Sequence, residues 1–219
     1  MHTIIRLDKI NKSYKNGKVT NRVLSDFSWQ FSQKCFTVLA GPSGSGKSSL
    51  LNILATLDVP DNGDYWLNER LVDFRKKNEL TELRKQNFGF IFQSFNLIPV
   101  LSALENVELP LTLFNYSSKE RKEMAEKALT LVGLTHKMNS RPGEMSGGEQ
   151  QRVAIARAIA HHPQIIFADE PTANLDKKNA LNIIHLMKEL NENEGLNFII
   201  ASHDDRVINM GKEVINLGE

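Results

Sequence analysis

Eight consecutive residues, Gly41-Pro42-Ser43-Gly44-Ser45-Gly46-Lys47-Ser48, fit the spacing G-x-x-x-x-G-K-[ST] without a gap. The chemistry this pattern permits is the holding of phosphate. Glycines free the backbone N–H groups to approach anionic oxygens closely, which side chains would prevent. A helix opening after the loop points its positive end at the same anion. Lys47 supplies a cation for terminal phosphates, and Ser48 a hydroxyl for Mg²⁺. The G-x-G-x-x-G spacing of dinucleotide-binding loops is not met.

Two further segments carry chemistry. Asp169-Glu170 follows the apolar run Ile165-Ile166-Phe167-Ala168. In an open parallel sheet, ligands bind at the carboxyl ends of strands, so this pair is expected beside the phosphate loop. Asp169 can hold Mg²⁺, directly or through water, and Glu170 can act as general base toward an attacking water. Ser146-Gly147-Gly148, at the start of a helical pattern, offers a hydroxyl, free N–H groups and a favourable dipole, a second anion site.

The positioning elements follow from periodicity. Thr3–Ile10 and Val23–Phe31 alternate as half-buried strands, with Tyr14-Lys15-Asn16-Gly17-Lys18 between them as a turn. Cys35–Ala40, Phe88–Phe92, Ile165–Ala168 and Phe198–Ala201 are short apolar runs of the buried-strand type. Helices are expected over Ser48–Leu57, Lys76–Gln86, Ser117–Leu131, Gly148–Ala160 and Lys178–Asn191, with Ser117 and Glu120 forming a capping box. Pro60-Asp61-Asn62-Gly63 has turn chemistry. Strands alternating with helices predict an α/β fold, with an all-helical insertion between about Ser94 and Ala160.

Composition narrows the classes. Lys and Arg number 27 and Asp and Glu 26 in 219 residues, a net charge of +1. That balance lacks the electrostatic footprint of a nucleic-acid binder, and no nucleic-acid partner is expected. A single cysteine, Cys35, fits a reducing compartment. The greasy stretch Leu97–Phe114 carries Pro99, Glu105, Asn106, Glu108 and Pro110, which exclude a membrane span. A soluble single domain over residues 1–219 is expected.

Met145-Ser146-Gly147-Gly148-Glu149-Gln150-Gln151-Arg152, between the phosphate loop and Asp169-Glu170, resembles the signature motif of ABC ATPases. The resemblance spans nearly the whole chain. It implies a P-loop NTPase core, a RecA-like mixed sheet flanked by helices, with an N-terminal antiparallel β subdomain and an inserted helical subdomain near 94–160. It further implies ATP and Mg²⁺ as ligands, with Ser49 extending the loop's contacts. Gln93 resembles the glutamine that contacts Mg²⁺ or the attacking water, and His203 the switch histidine at the γ-phosphate. Tyr14 resembles the aromatic that stacks on adenine. Ala173-Asn174-Leu175-Asp176 resembles the loop at the dimer interface, which places Asp176 near nucleotide. Two such chains would form a homodimer, the signature segment with Glu149 covering ATP held by the other chain.

Met145 and Glu149 stand where Leu and Gln are commoner, and neither change touches Ser146 or Gly148. With Phe92–Pro99, Ala103–Val107 and Asn174-Leu175-Asp176, they resemble the subgroup of lipoprotein-releasing ATPases, macrolide or peptide exporters and the cell-division ATPase. The implied partners are integral membrane permease subunits on separate chains, docked on the segment after Gln93. The implied location is cytoplasmic, peripheral on the inner face of the plasma membrane. Two alternatives share these motifs: a mechanotransmission ATPase of the cell-division type, and a soluble ABC ATPase of DNA repair or iron–sulfur assembly. Repair members of the family insert long coiled coils between the phosphate loop and the signature, and Ser48–Ser146 has no sustained heptads, which disfavours the repair type.

Overall fold

The computed structural model describes residues 3–17 and 19–218. Two sheets divide the chain. Strands β1 (Thr3–Asn16), β2 (Val19–Ser32), β4 (Asn62–Leu67) and β5 (Arg70–Leu71) form an antiparallel sheet in the order β2-β1-β4-β5. Strands β3 (Phe36–Ala40), β6 (Phe88–Ile91), β7 (Ile165–Asp169), β8 (Asn197–Ala201) and β9 (Glu213–Asn216) form a parallel sheet, order β6-β7-β8-β3-β9. The α/β expectation with an N-terminal antiparallel unit is met, the two strand directions being parted between the sheets.

The parallel strands alternate strictly. Val38, Ile166, Ala168, Phe198 and Ile200 enter one apolar cluster, and Leu39, Ile165, Phe167, Ile199 and Ala201 the other. Period-two geometry buries both faces, which is why these strands read as unbroken apolar runs. Helix α1 (Lys47–Leu54) lies between the sheets, and its Leu50, Ile53 and Leu54 are fully buried against both. The opposite face carries α5 (Gly147–Ile159) and α6 (Lys177–Asn193), and α3 (Ala103–Glu108) and α4 (Ser118–Leu131) pack on α5. Helix α2 (Lys77–Asn87) precedes β6, and the short α7 (Asp205–Ile208) precedes β9.

Some boundaries differ from expectation. Tyr14, Lys15 and Asn16 lie in β1 rather than in a turn, paired with Asn21, Thr20 and Val19. Of the expected turn, Gly17 is in a turn at φ +61°, and Lys18 lies outside the described residues. Bulges that place Lys9 and Asp26 at positive φ break the alternation, so the strands run longer than their pattern. Asn62 and Gly63 open β4 because β1 offers an edge, with Asn11 opposite Asn62. Helix α1 ends at Leu54, three residues early, and Thr56 turns left-handed at φ +54°. Strands β5 and β9 and helices α3 and α7 are too short to show a period and were not anticipated. The parallel sheet has one functional consequence: β3, β6, β7 and β8 all end on the same edge.

Candidate active site

That edge gathers four segments. β3 runs into the phosphate loop, β6 toward Gln93, β7 into Asp169-Glu170, and β8 into Ser202-His203. The loop backbone is left-handed at Gly44 and Gly46, and at Gly41 φ is +148°. A Cβ on Gly41 would collide with the Leu217 carbonyl, and one on Gly46 with the Val23 side chain. Only glycine lets the loop close this tightly. Gly46 caps α1 without a side-chain acceptor, and the first turn holds no acid. The positive helix end is therefore available to an anion. The buried Lys47 ammonium donates to the carbonyls of Gly41 and Pro42 at 2.7 and 2.8 Å, so it lies along the loop.

The Ser48 hydroxyl donates to Asp169 Oδ1 at 3.1 Å. Burial pushes the Asp169 carboxyl above its ordinary range; the Glu170 charge adds to this, while the Ser48 hydrogen bond and Lys47 oppose it. Glu170 sits at φ +44°, a conformation costing an L-residue about 1–3 kcal/mol and found mainly at functional sites. Three contacts over-determine it. Its N–H donates to the Ala201 carbonyl at 2.9 Å. Ser202 Oγ donates to Oε2 at 3.2 Å, and His203 Nδ1 lies 2.7 Å from Oε1. His203 is 65% exposed and Glu170 16%, so the imidazole stands at the mouth and the carboxylate within.

One cleft of about 460 Å³ is lined by Tyr14, Pro42, Ser43, Gly44, Gly46, Lys47, Ser48, Ser49, Gln93, Glu170 and His203, together with Val23. Gly41 is not among its lining residues, and Asp169 is joined to it through Ser48. Ser45 turns inward, its hydroxyl buried and without a partner among the described residues. The carbonyl of Gln93 accepts from Asn174 Nδ2 at 3.0 Å. Tyr14 Oη donates to Asp58 Oδ2 at 2.7 Å.

Ser146, Gly147, Gly148, Glu149 and Asp176 do not line this cleft. Ser146 caps α5, accepting from Glu149 N at 3.3 Å while Glu149 Oε2 accepts from Ser146 N at 2.8 Å. Asp176 caps α6, accepting from Asn179 N at 2.9 Å. Gly147 and Gly148 pack on Leu175 and Asn179, so these residues form a second neighbourhood. Val23 and Ser202 went unforeseen. Ser202 sits between β8 and His203, but its role rests on complete burial, which sequence does not display.

The sequence matches the ABC transporter family over residues 24–173. The chain is 42% identical to the ABC transporter ATP-binding protein MJ0796 of Methanocaldococcus jannaschii, covering 98% of this chain and 93% of that one. It is 42% identical to the lipoprotein-releasing system ATP-binding protein LolD of Idiomarina loihiensis, over 92% and 88%. It is 41% identical to the macrolide export ATP-binding/permease protein MacB of Marinobacter nauticus, spanning 99% of this chain but a third (33%) of that protein. The dimeric post-hydrolysis structure of the MJ0796 cassette bound to ADP and Pi superposes with a TM-score of 0.87 at 41% identity, over 98% of this chain and 94% of that one. Fold, cleft and sequence thus agree that the chain belongs to the ABC transporter family, as one of its ATP-binding and ATP-hydrolysing cassettes.

Proposed function

We propose that the chain is the ATPase subunit of a transport complex, a homodimer driving integral membrane permease subunits carried on separate chains at the cytoplasmic face. The names of LolD and MacB support a substrate that is a lipoprotein or a macrolide-like molecule, and exported peptides belong to the same reading. Among the described residues no helix is long and apolar enough to cross a membrane.

In this reading the loop backbone, that of Ser45 included, and Lys47 hold the β- and γ-phosphates, Ser43 and Ser49 border them, and Tyr14 stacks on the base. The Ser48, Asp169 and Gln93 oxygens are hard donors of the kind Mg²⁺ takes. When bound, Mg²⁺ neutralises charge on the phosphates. Glu170 accepts a proton from the water whose oxygen bonds to the γ-phosphorus, and the bond to the ADP oxygen breaks. His203 orients Glu170 and faces the γ-phosphate. Ser146, Gly147, Gly148, Glu149 and Asp176 close over nucleotide held by the other chain.

The observation that carries this reading is Glu170, forced left-handed and fixed by Ser202 and His203 inside the cleft of the phosphate loop. Glu170→Gln should keep ATP affinity while hydrolysis falls by at least about a hundredfold, the worth of a general base. Size-exclusion chromatography with light scattering should then show an ATP-dependent dimer. A monomer with undiminished hydrolysis overturns the assignment.

A further inference from the structure

A nucleotide is one ligand with two ends, so the groups that hold base and phosphates need a fixed separation. Here they belong to different sheets. Tyr14 lies on β1 of the antiparallel sheet, whereas the phosphate loop joins β3 of the parallel sheet to α1. A Tyr14 ring that is 41% exposed has little packing to hold it.

The chain leaving α1 supplies the missing link. Residues 55–61 turn from α1 back to β4, and this turn is tied to β1 along its length. Tyr14 Oη donates to Asp58 Oδ2 at 2.7 Å. Lys12 Nζ donates to Asp58 Oδ1 at 2.8 Å and to the Val59 carbonyl at 2.7 Å. The Ser13 N–H donates to Asp61 Oδ2 at 2.7 Å, and the Asp61 N–H to the Asn11 carbonyl at 2.8 Å. The Val59 N–H donates to Asp58 Oδ1 at 2.7 Å, which fixes the carboxylate itself. Lys12 is only 8% exposed, a charge taken out of water and committed to this junction. Its ammonium also lies over the Tyr14 ring, 4.9 Å from the centroid. The cation thereby covers one face of the ring, and Tyr14 also lines the cleft of the phosphate loop.

We propose that Asp58, supported by Lys12, is a positioning residue for the nucleotide base: it clamps the Tyr14 ring and sets its distance from the phosphate loop. This rests on the reading of Tyr14 as the base platform. The clamp acts on the base end alone, so its loss weakens a ligand with a base and spares one without.

Calorimetric titration of the full chain with Mg·ATP and with inorganic tripolyphosphate separates the two ends. Tyr14→Phe removes the hydroxyl and leaves the Lys12–Asp58 pair intact, so it is the variant safe for folding; Asp58→Ala removes the clamp entirely. Each should weaken ATP by about three- to tenfold, the worth of one hydrogen bond, with tripolyphosphate affinity unchanged. The double variant should bind ATP no more weakly than Asp58→Ala alone, because both remove one interaction. If Tyr14→Phe binds ATP as the wild type does while Tyr14→Ala is weakened, the ring works unclamped and the proposal falls, the platform reading standing. If Tyr14→Ala also binds ATP normally, the platform reading falls and the clamp with it. Equal losses for ATP and tripolyphosphate in Tyr14→Phe place the effect at the phosphate loop and overturn the proposal.

Discussion

Glu170 combines an unfavourable backbone with a demanding position, and Ser202 reconciles them. The Ser202 hydroxyl is fully buried; it donates to Glu170 Oε2 at 3.2 Å and accepts from the Asp204 N–H at 3.1 Å. Removing it frees one carboxylate oxygen to swing and leaves a buried donor unpaired. Ser202→Ala should therefore lower kcat by about three- to tenfold, roughly 1 kcal/mol in the barrier, with KM for ATP little changed. Steady-state kinetics at saturating ATP checks this. Lys47 and Glu170 were legible because their types and spacing announce phosphate chemistry, and His203 through the family resemblance. Ser202 was not, since a serine beside a histidine carries no mark of which carboxylate it touches.

Elements show how the cleft is kept in register with the helices behind it. After Gln93 the chain turns through two left-handed residues, Phe95 at φ +60° and Asn96 at φ +52°. The Arg157 guanidinium, from the far end of α5, donates to the Phe95 carbonyl at 2.7 Å and to the Asn96 carbonyl at 2.5 Å. Arg157→Ala should destabilise the fold by about 1–3 kcal/mol, read from the urea midpoint, because two strained carbonyls lose their donor. The helix starts share another device. α3, α4 and α5 all open with a capping box, Ser102 with Glu105, Ser117 with Glu120 and Ser146 with Glu149. Hydrogen bonds from Ser102, Ser117 and Ser146 hold the three carboxyls below the ordinary range. A depressed folded pKa gives stability that is present above the unfolded value of about 4.3 and is lost as pH falls through the folded one. Amide protection factors at these helix starts should fall in that acid window, and Glu120→Gln should flatten the response at α4 alone. Ser117–Glu120 was readable because the box is a local pattern. β9 and the full length of β1 were not, because their pairing partners lie far along the chain or across bulges.

At the scale of the molecule, the cleft holds the phosphate-loop set while Ser146 and Asp176 stand in a neighbourhood of their own. In the homodimer proposed above, those residues act on the other chain. Ser146→Arg placed in the Glu170→Gln background should thus bind ATP within about twofold of its parent, yet remain monomeric by light scattering, since a large cation at the α5 start blocks closure without touching the cleft. A dimer as stable as the parent's would show that the Ser146 surface is not part of the closure. The amino-acid sequence by itself determined the phosphate loop, the Asp169-Glu170 pair, the buried strands and the family resemblance. Each of these depends on residue type at short spacing, where steric and hydrogen-bonding demands are local. Tertiary structure alone decided that β3, β6, β7 and β8 end on one edge, that Ser202 fixes Glu170, and that Asp58 reaches Tyr14. Those facts depend on pairing and burial between residues tens of positions apart, and the free energy that selects them belongs to the packed chain rather than to any segment of it.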